Sequence, residues 1–325
     1  MQKIRKHIAM IGLVCLALGF PVALRYYFYQ NDQMALLGTG PMKSTLYKVE
    51  KTFEQEDNRI LLKVGKKTEQ RSAALSENFP EHMLEIKIPN VQAKAVAEAG
   101  MGGDLTHVDS IWTRDIEEGC LIQVILDGPY CAEVSIEDGI LGIDVKHPGS
   151  VYEQIVVIDP GRYEEQDLCL DVARRVQEKL SGDGIEVVLT RTDDHTYSQE
   201  QNASLANDVG ADLFVALEMP RSEDVTLCGV RCLYNSVFFM PGLGSGDLAF
   251  ILEESVLSKT GAKSLGIEPG DGNVLIDYAQ MPVTIVQLGY QSNEKENQRL
   301  CNETYRQHLA DGISLGIIEA YKQKE

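Results

Sequence analysis

A chain of 325 residues is long enough for two domains with cores of their own, and its 44% hydrophobic and 24% charged residues are ordinary for a globular protein. The formal net charge is −19, because 49 acidic residues outnumber 30 basic ones. Phosphate contacts need clustered Lys and Arg, so this composition excludes nucleic acid as a partner.

The amino terminus is basic and then strongly apolar. Lys3, Arg5 and Lys6 precede an uncharged run of 17 residues, 8–24, which reaches the lower limit for crossing a bilayer. This pattern is typical of a cleaved signal peptide or an uncleaved signal anchor, and the aromatic residues at 26–29 favour the anchor. We therefore expect residues 1–28 to form a cytoplasmic basic tail and a signal anchor that contacts the membrane through residues 8–28. The protein would then be a single-pass protein of the cell membrane, with the bulk of the chain extracytoplasmic.

Residues 29–50 lack a clear periodicity, which predicts a linker. Short alternating runs follow over residues 51–150: RILLKV, HMLEIKIP, CLIQVILDG, AEVSIEDG and LGIDV. Turn residues separate them, and Asp127-Gly128 and Asp138-Gly139 are strong hairpin signals. The pattern predicts a small antiparallel β-sandwich as the first folded domain.

From residue 151 to residue 325, apolar strands alternate with helical periodicity. The predicted strands are QIVVID, IEVVLTR, DLFVALE, GVRCLYN and VTIVQLGY. The predicted helices cover residues 166–180, 199–207, 246–260 and 294–321. Such βαβ alternation predicts an α/β domain, with a mostly parallel twisted sheet and helices on both faces. Functional groups in these folds lie beyond the carboxyl ends of the strands, which places Arg162, Glu165, Glu218 and Gln287 on one rim.

Five ordered segments resemble the landmarks of the zinc-dependent N-acetylmuramoyl-L-alanine amidases: VVIDPG, EEQDLCLDVARRV, GIEVVLTRTDD, LANDVGADLFVAL and MPVTIVQLGYQSN. The match extends over nearly all of residues 153–321. Enzymes of this family cleave the bond between muramic acid and the stem peptide of peptidoglycan. More weakly, LEIKIPNVQA and CLIQVILDGPYCAEVSIEDGILGIDV resemble the AMIN domain, which helps to localise such amidases. The resemblance implies an amidase-like domain at 151–325 behind an AMIN-like β domain at 51–150.

The resemblance also implies a zinc site, of which one functional position in four is retained. Arg162 stands where the family has its first zinc-binding His, and Glu165 matches the second ligand. Glu218 replaces the third ligand, a His, and Gln287 replaces the catalytic Glu. The family also has a longer segment between its first two ligands than the two residues found here.

The chemistry of these replacements argues against catalysis. Arginine has no lone pair for a metal and stays protonated, while the carboxylates of Glu165 and Glu218 alone would hold zinc weakly. Gln287 cannot accept a proton from water. We therefore expect no intact catalytic residue and no zinc cofactor. The former metal site would consist of Arg162, Glu165 and Glu218, with the guanidinium of Arg162 bridging Glu165, Glu218 or both.

His195 and the cysteines are also potential metal ligands, but the sequence favours another interpretation for each. His195 follows the second strand of this region and is expected to be a solvated loop histidine rather than a replacement metal ligand. The six cysteines outside the apolar run are expected to be isolated buried thiols, because no second pair at close spacing accompanies Cys228 and Cys232.

Three functions remain open at this point. The first is an inactive amidase-like envelope protein that binds peptidoglycan or another envelope protein during wall remodelling. The second is an active amidase with an altered metal site. The third is a structural partner in a membrane complex without affinity for glycan.

Overall fold

The computed structural model describes residues 45–65, 73–162, 167–237 and 241–324. The expected anchor, most of the expected linker and Glu165 lie outside these residues. None of the helices in these ranges combines the length and the apolar character needed to cross a bilayer. All the elements described below belong to one compact unit, Leu46–Glu325.

The amino-terminal part of this unit, here the β domain, consists of two antiparallel sheets. One has the order β1-β6-β7-β4-β3 and the other the order β5-β2-β9-β8. The strands are β1 (Leu46–Lys48), β2 (Ile60–Lys63), β3 (Ala74–Asn78), β4 (Met83–Pro89), β5 (Met101–Gly103), β6 (Val108–Ile116), β7 (Gly119–Leu126), β8 (Cys131–Glu137) and β9 (Ile140–Lys146), with helix α1 at Ala93–Ala99. Apolar residues of both sheets share one core, as the alternating runs predict. The first strand begins inside the expected linker, and Val49, which directly follows this strand, is buried.

Only one of the two Asp-Gly pairs forms the expected hairpin turn. Asp138 and Gly139 connect the paired strands β8 and β9, and both have positive φ values, 50° and 79°, as a two-residue hairpin turn requires. Asp127 and Gly128 connect β7 to β8, which belong to different sheets. The hairpin expected there is wrong, because β7 pairs with β4 and β6 instead.

The second part, here the α/β domain, is built on a six-stranded sheet with the order β11-β10-β12-β15-β13-β14. The strands are β10 (Ile155–Pro160), β11 (Glu186–Leu189), β12 (Leu213–Glu218), β13 (Val230–Tyr234), β14 (Ser264–Pro269) and β15 (Val283–Gln287). The first three and β15 are parallel neighbours, whereas β13 pairs with β15 in the antiparallel sense. The mostly parallel sheet expected from the sequence is therefore present.

Helices cover both faces of this sheet. They are α2 (Leu168–Leu180), α3 (Gln199–Asp208), α4 (Ser245–Thr260), α5 (Val274–Tyr278), α6 (Glu294–Leu300) and α7 (Glu303–Lys324). Apolar residues of α2, α4 and α7 form one core with the sheet, and those of α3 and α5 form the core on the other face. Two expectations need correction. Strand β14 and helix α5 were not predicted. The single final helix that was expected is instead two helices, α6 and α7. Asn302 caps the start of α7 by accepting a hydrogen bond from the Tyr305 N–H at 3.1 Å.

Candidate functional site

The site lies at the carboxyl edge of three parallel strands, β10, β12 and β15. Register pairs Pro160 with Leu217 on the first two strands, and Glu218 with Gln287 on the next two. Parallel neighbours end at the same edge, so the sheet brings Arg162, Glu218 and Gln287 to one rim, as their sequence positions predict.

Glu218 and Gln287 contact each other directly. Gln287 Nε2 donates to Glu218 Oε2 at 3.3 Å, and the hydroxyl of Tyr290 donates to Gln287 Oε1 at 2.8 Å. Burial raises the pKa of the Tyr290 hydroxyl, which keeps it protonated and able to donate. An amide suits this position because it donates to one neighbour and accepts from the other, which a carboxylate cannot do.

Arg162 pairs with Asp194, which lies on the loop after β11. Its Nη1 donates to the backbone carbonyl of Asp194, and its Nη2 lies 3.6 Å from the Asp194 carboxylate. The loop after β11 thus supplies both a carbonyl and a carboxylate to the guanidinium. The bridge expected between Arg162 and Glu218 stays a prediction. The bridge expected to Glu165 concerns a residue outside the described ranges.

Arg191 is a site residue that sequence reasoning missed. Its side chain is 3% exposed, and its Nη1 and Nη2 lie 2.5 and 2.6 Å from the two carboxylate oxygens of Asp167. The same guanidinium donates to the carbonyls of Pro160 at 2.7 Å and Asp193 at 2.8 Å. Arg191 therefore ties the turn that carries Arg162 to the loop that carries Asp194. The only sequence signal was an arginine at the end of the predicted strand IEVVLTR.

A half-buried carboxyl group, that of Asp159, lies at the end of β10 beside these residues. Asp159 accepts hydrogen bonds from the hydroxyl of Thr190 at 2.5 Å and from the amide of Asn202 at 2.9 Å. Burial raises the pKa of Asp159 and the two hydrogen bonds lower it less, so its net direction is upward. These three side chains tie β10 to the loop after β11 and to α3.

These groups surround a cavity of about 290 Å³. Its polar wall includes Asp159, Thr190, Asn202, Arg162 and Glu218, and its apolar wall includes Ala216, Leu217, Leu275 and Ile285. Thr196 and Tyr197 from the loop after β11 complete the rim. The cavity has the size of a small-ligand pocket, with a few polar groups facing apolar side chains.

The donor set does not fit the zinc ion that the fold family implies. The guanidinium of Arg162 holds only donors, and the Glu218 carboxylate already accepts from an amide. Among the described residues, which do not include Glu165, no group of three His, Cys, Asp or Glu side chains is placed to hold a metal. His195 lies on the loop after β11, where its ring packs edge-on against that of Tyr197 with the ring centroids 4.8 Å apart.

The six described cysteines are all free thiols. Four of them are buried, Cys228 is half-buried and Cys301 is exposed. Burial raises the pKa of Cys120 to about 12, so this thiol is inert. The expectation of isolated buried thiols is confirmed for Cys120, Cys131, Cys169 and Cys232, whereas Cys228 and Cys301 are free thiols that are not buried.

Comparison with known proteins identifies the scaffold. The sequence profile of the N-acetylmuramoyl-L-alanine amidases matches residues 142–319. The uncharacterised protein YqiI of Bacillus subtilis is 31% identical over 195 residues, which make up 59% of this chain and 91% of YqiI.

Two named amidases are also similar. The N-acetylmuramoyl-L-alanine amidase LytC of Bacillus subtilis is 25% identical over 189 residues, 55% of this chain and 37% of LytC. The N-acetylmuramoyl-L-alanine amidase CwlM of Mycobacterium tuberculosis is 27% identical over 183 residues, 51% of this chain and 45% of CwlM. This chain therefore spans less than half the length of either amidase.

Among solved structures, the N-acetylmuramoyl-L-alanine amidase from Clostridium difficile 630 superposes with a TM-score of 0.50 at 27% identity. The match covers 53% of this chain and 98% of that one. The amidase-like α/β fold expected from the sequence is confirmed.

Proposed function

The chain belongs to the N-acetylmuramoyl-L-alanine amidase family, and from that premise we propose that it binds peptidoglycan without hydrolysing it. The ligand would be the stem peptide, whose amide groups and carboxylates suit a cavity with one polar and one apolar wall. We further propose that residues 8–28 anchor the chain in the cell membrane and that the β domain helps to localise it, as AMIN domains do.

One observation carries the proposal: the side chains at the family's metal-binding and general-base positions make hydrogen bonds and ion pairs that suit neither zinc binding nor proton transfer. Arg162 is paired with Asp194, and Gln287 both donates to Glu218 and accepts from Tyr290. A catalytic zinc site needs about three protein ligands and one open position for water. A general base must accept a proton, which the amide of Gln287 does not do. The framework around these positions is intact, since Arg191 and Asp159 hold it with hydrogen bonds that are buried or partly buried.

The test uses the full-length chain in mild detergent. Zinc content is measured by mass spectrometry, and release of stem peptides from purified peptidoglycan is measured with and without added zinc. We expect no stoichiometric zinc and no release. Chelator-sensitive release would establish instead an active amidase with an altered metal site.

Binding is tested separately by co-sedimentation with peptidoglycan. We expect the wild-type chain to sediment and Arg162→Ala to sediment less, because a guanidinium can bond a stem-peptide carboxylate through two hydrogen bonds. Lys322→Ala is the matched control: it removes the same charge from an exposed position on α7. A wild-type chain that stays in solution would instead indicate a partner among the envelope proteins and no affinity for glycan.

A further inference from the structure

Residues 192–198, which belong to the loop between β11 and α3, form part of the cavity rim, and side chains of the α/β domain hold them in place. Thr196 and Tyr197 of this loop line the cavity. Three arginines hold the loop through its backbone: Arg162 donates to the carbonyl of Asp194, Arg174 to that of Thr192 and Arg191 to that of Asp193.

The β domain also holds this loop, at Tyr197. The phenol hydroxyl of Tyr197 donates to the carboxylate of Glu81. A hydrogen bond to a carboxylate is about twice as strong as one between neutral groups, so it can select one orientation of the ring.

Glu81 is itself well placed to act as a fixed acceptor. It lies in the turn between β3 and β4, where its backbone N–H donates to Asn78 Oδ1 at 3.3 Å and the N–H of His82 donates to the carbonyl of Phe79 at 3.0 Å. The ring of Phe79 is buried in the core beneath α3 and α5, so the turn is anchored to the α/β domain. A residue of one domain thus reaches the cavity of the other on a rigid support.

We propose that Tyr197 contacts the bound ligand and helps to select it, and that Glu81 of the β domain is the positioning residue for the Tyr197 ring. The proposal rests on the stem-peptide binding argued above. The phenol ring offers an apolar face to the peptide, while its hydroxyl is occupied by Glu81 and does not compete for the ligand's polar groups. The β domain then contributes to ligand choice as well as to localisation.

The test is a double-mutant cycle in the full-length chain, with binding of a soluble muropeptide measured by calorimetry. We expect Glu81→Ala and Tyr197→Phe each to weaken binding about tenfold, on the scale of one charge-assisted hydrogen bond. The double variant should bind no more weakly than either single variant, because both remove the same interaction. Glu81→Gln keeps an acceptor oxygen and should restore most of the affinity. Glu98→Ala, which removes an exposed carboxylate from α1, is the matched control and should bind as the wild type does.

Hydrogen exchange of the ligand-free protein gives a second readout. Glu81→Ala should raise the exchange of amides in residues 192–198 while the melting temperature stays near that of the Glu98→Ala control. Unchanged affinity in the single variants, or additive losses in the double variant, would overturn the inference. If the wild type binds no muropeptide, the proposed function fails, and the exchange result alone then decides whether Glu81 positions Tyr197. Unchanged exchange would reject that role.

Discussion

Arg191 and Asp167 form a bidentate ion pair that joins the strand edge to the start of α2. The two nitrogen–oxygen distances are 2.5 and 2.6 Å, and the arginine side chain is 3% exposed. Its remaining donors reach the carbonyls of Pro160 and Asp193. The loops that carry Arg162 and Asp194 are therefore tied to a single guanidinium.

Arg191→Lys should destabilise the fold although it keeps the charge. An ammonium cannot reproduce the planar fork, so Asp167 and at least one carbonyl would lose their partner. Breaking a buried pair in this way costs about 3 kcal/mol, measured as the free energy of unfolding in urea. Lys322→Arg is the control, because the Lys322–Glu319 pair is exposed and its change should stay within about 0.5 kcal/mol. Equal stability of the two variants would show that the Arg191 fork is dispensable.

Gly312 sets the distance between α7 and α4. A Cβ atom at this position would lie 2.6 Å from the Cα of Val256 on the facing helix, so the two backbones would have to separate. We expect Gly312→Ala to lower the free energy of unfolding by about 1–3 kcal/mol, as overpacking does. Gly182→Ala is the matched control: a Cβ there meets nothing within 4 Å, so stability should be unchanged or slightly higher. A neutral Gly312→Ala would mean that the helices can move apart freely.

The sequence predicts those parts of the fold that depend on local apolar runs. β10, β12 and β15 are continuous buried segments, and once they are neighbours the contact between Glu218 and Gln287 follows from register. Strand β14 could not be found in this way, because its residues are only half-buried or exposed and show no apolar run.

The missed contacts depend on long-range placement. A buried arginine such as Arg191 cannot be distinguished from an exposed one in the sequence, because its burial depends on how the surrounding loops fold. Asp194 was missed as the partner of Arg162 for the same reason, since 31 residues separate them in the chain. The two Asp-Gly pairs likewise share a dipeptide, but the pairing of the flanking strands decides whether a hairpin forms.

The contact between the two domains should respond to pH through Glu77 and Glu186. Burial raises the pKa of Glu77, and burial followed by the nearby charge of Glu77 raises that of Glu186. A carboxyl whose folded-state pKa is raised contributes its full stability below the unfolded value of about 4.3, and that contribution is lost as pH rises through the folded-state pKa. The free energy of unfolding of the wild type should therefore fall as Glu77 and Glu186 ionise between pH 4 and neutral pH.

Glu186→Gln tests that sign. A neutral amide resembles the protonated carboxyl, so the variant should match the wild type near pH 4 and be more stable near pH 7, where the wild type carries two half-buried charges. The quantity to measure is the difference in free energy of unfolding between variant and wild type across this range. Glu178→Gln, on the exposed side of α2, removes the same charge and serves as the control. A Glu186→Gln variant that is less stable at neutral pH would contradict the expected direction.

Gln287→Glu would restore the family's residue at the base position without restoring its surroundings. The new carboxylate would lie beside Glu218, where the amide now donates at 3.3 Å, and would still accept from Tyr290. Like charges at this distance raise the pKa of one member of the pair, so one proton should be shared between them.

The expected result is a loss of stability near pH 8 that shrinks near pH 4, where the shared proton replaces the lost amide hydrogen bond. No hydrolysis of peptidoglycan should accompany it, because a base alone does not activate water in a site that Arg162 and Asp194 occupy. Unfolding in urea at both pH values and a stem-peptide release assay measure the two effects. Glu218→Gln is the matched isosteric control: two neutral amides cannot repel, so its stability should vary less with pH. Hydrolysis by the Gln287→Glu variant would mean that the loss of the base alone had silenced the site, and that Arg162 does not prevent a metal from binding.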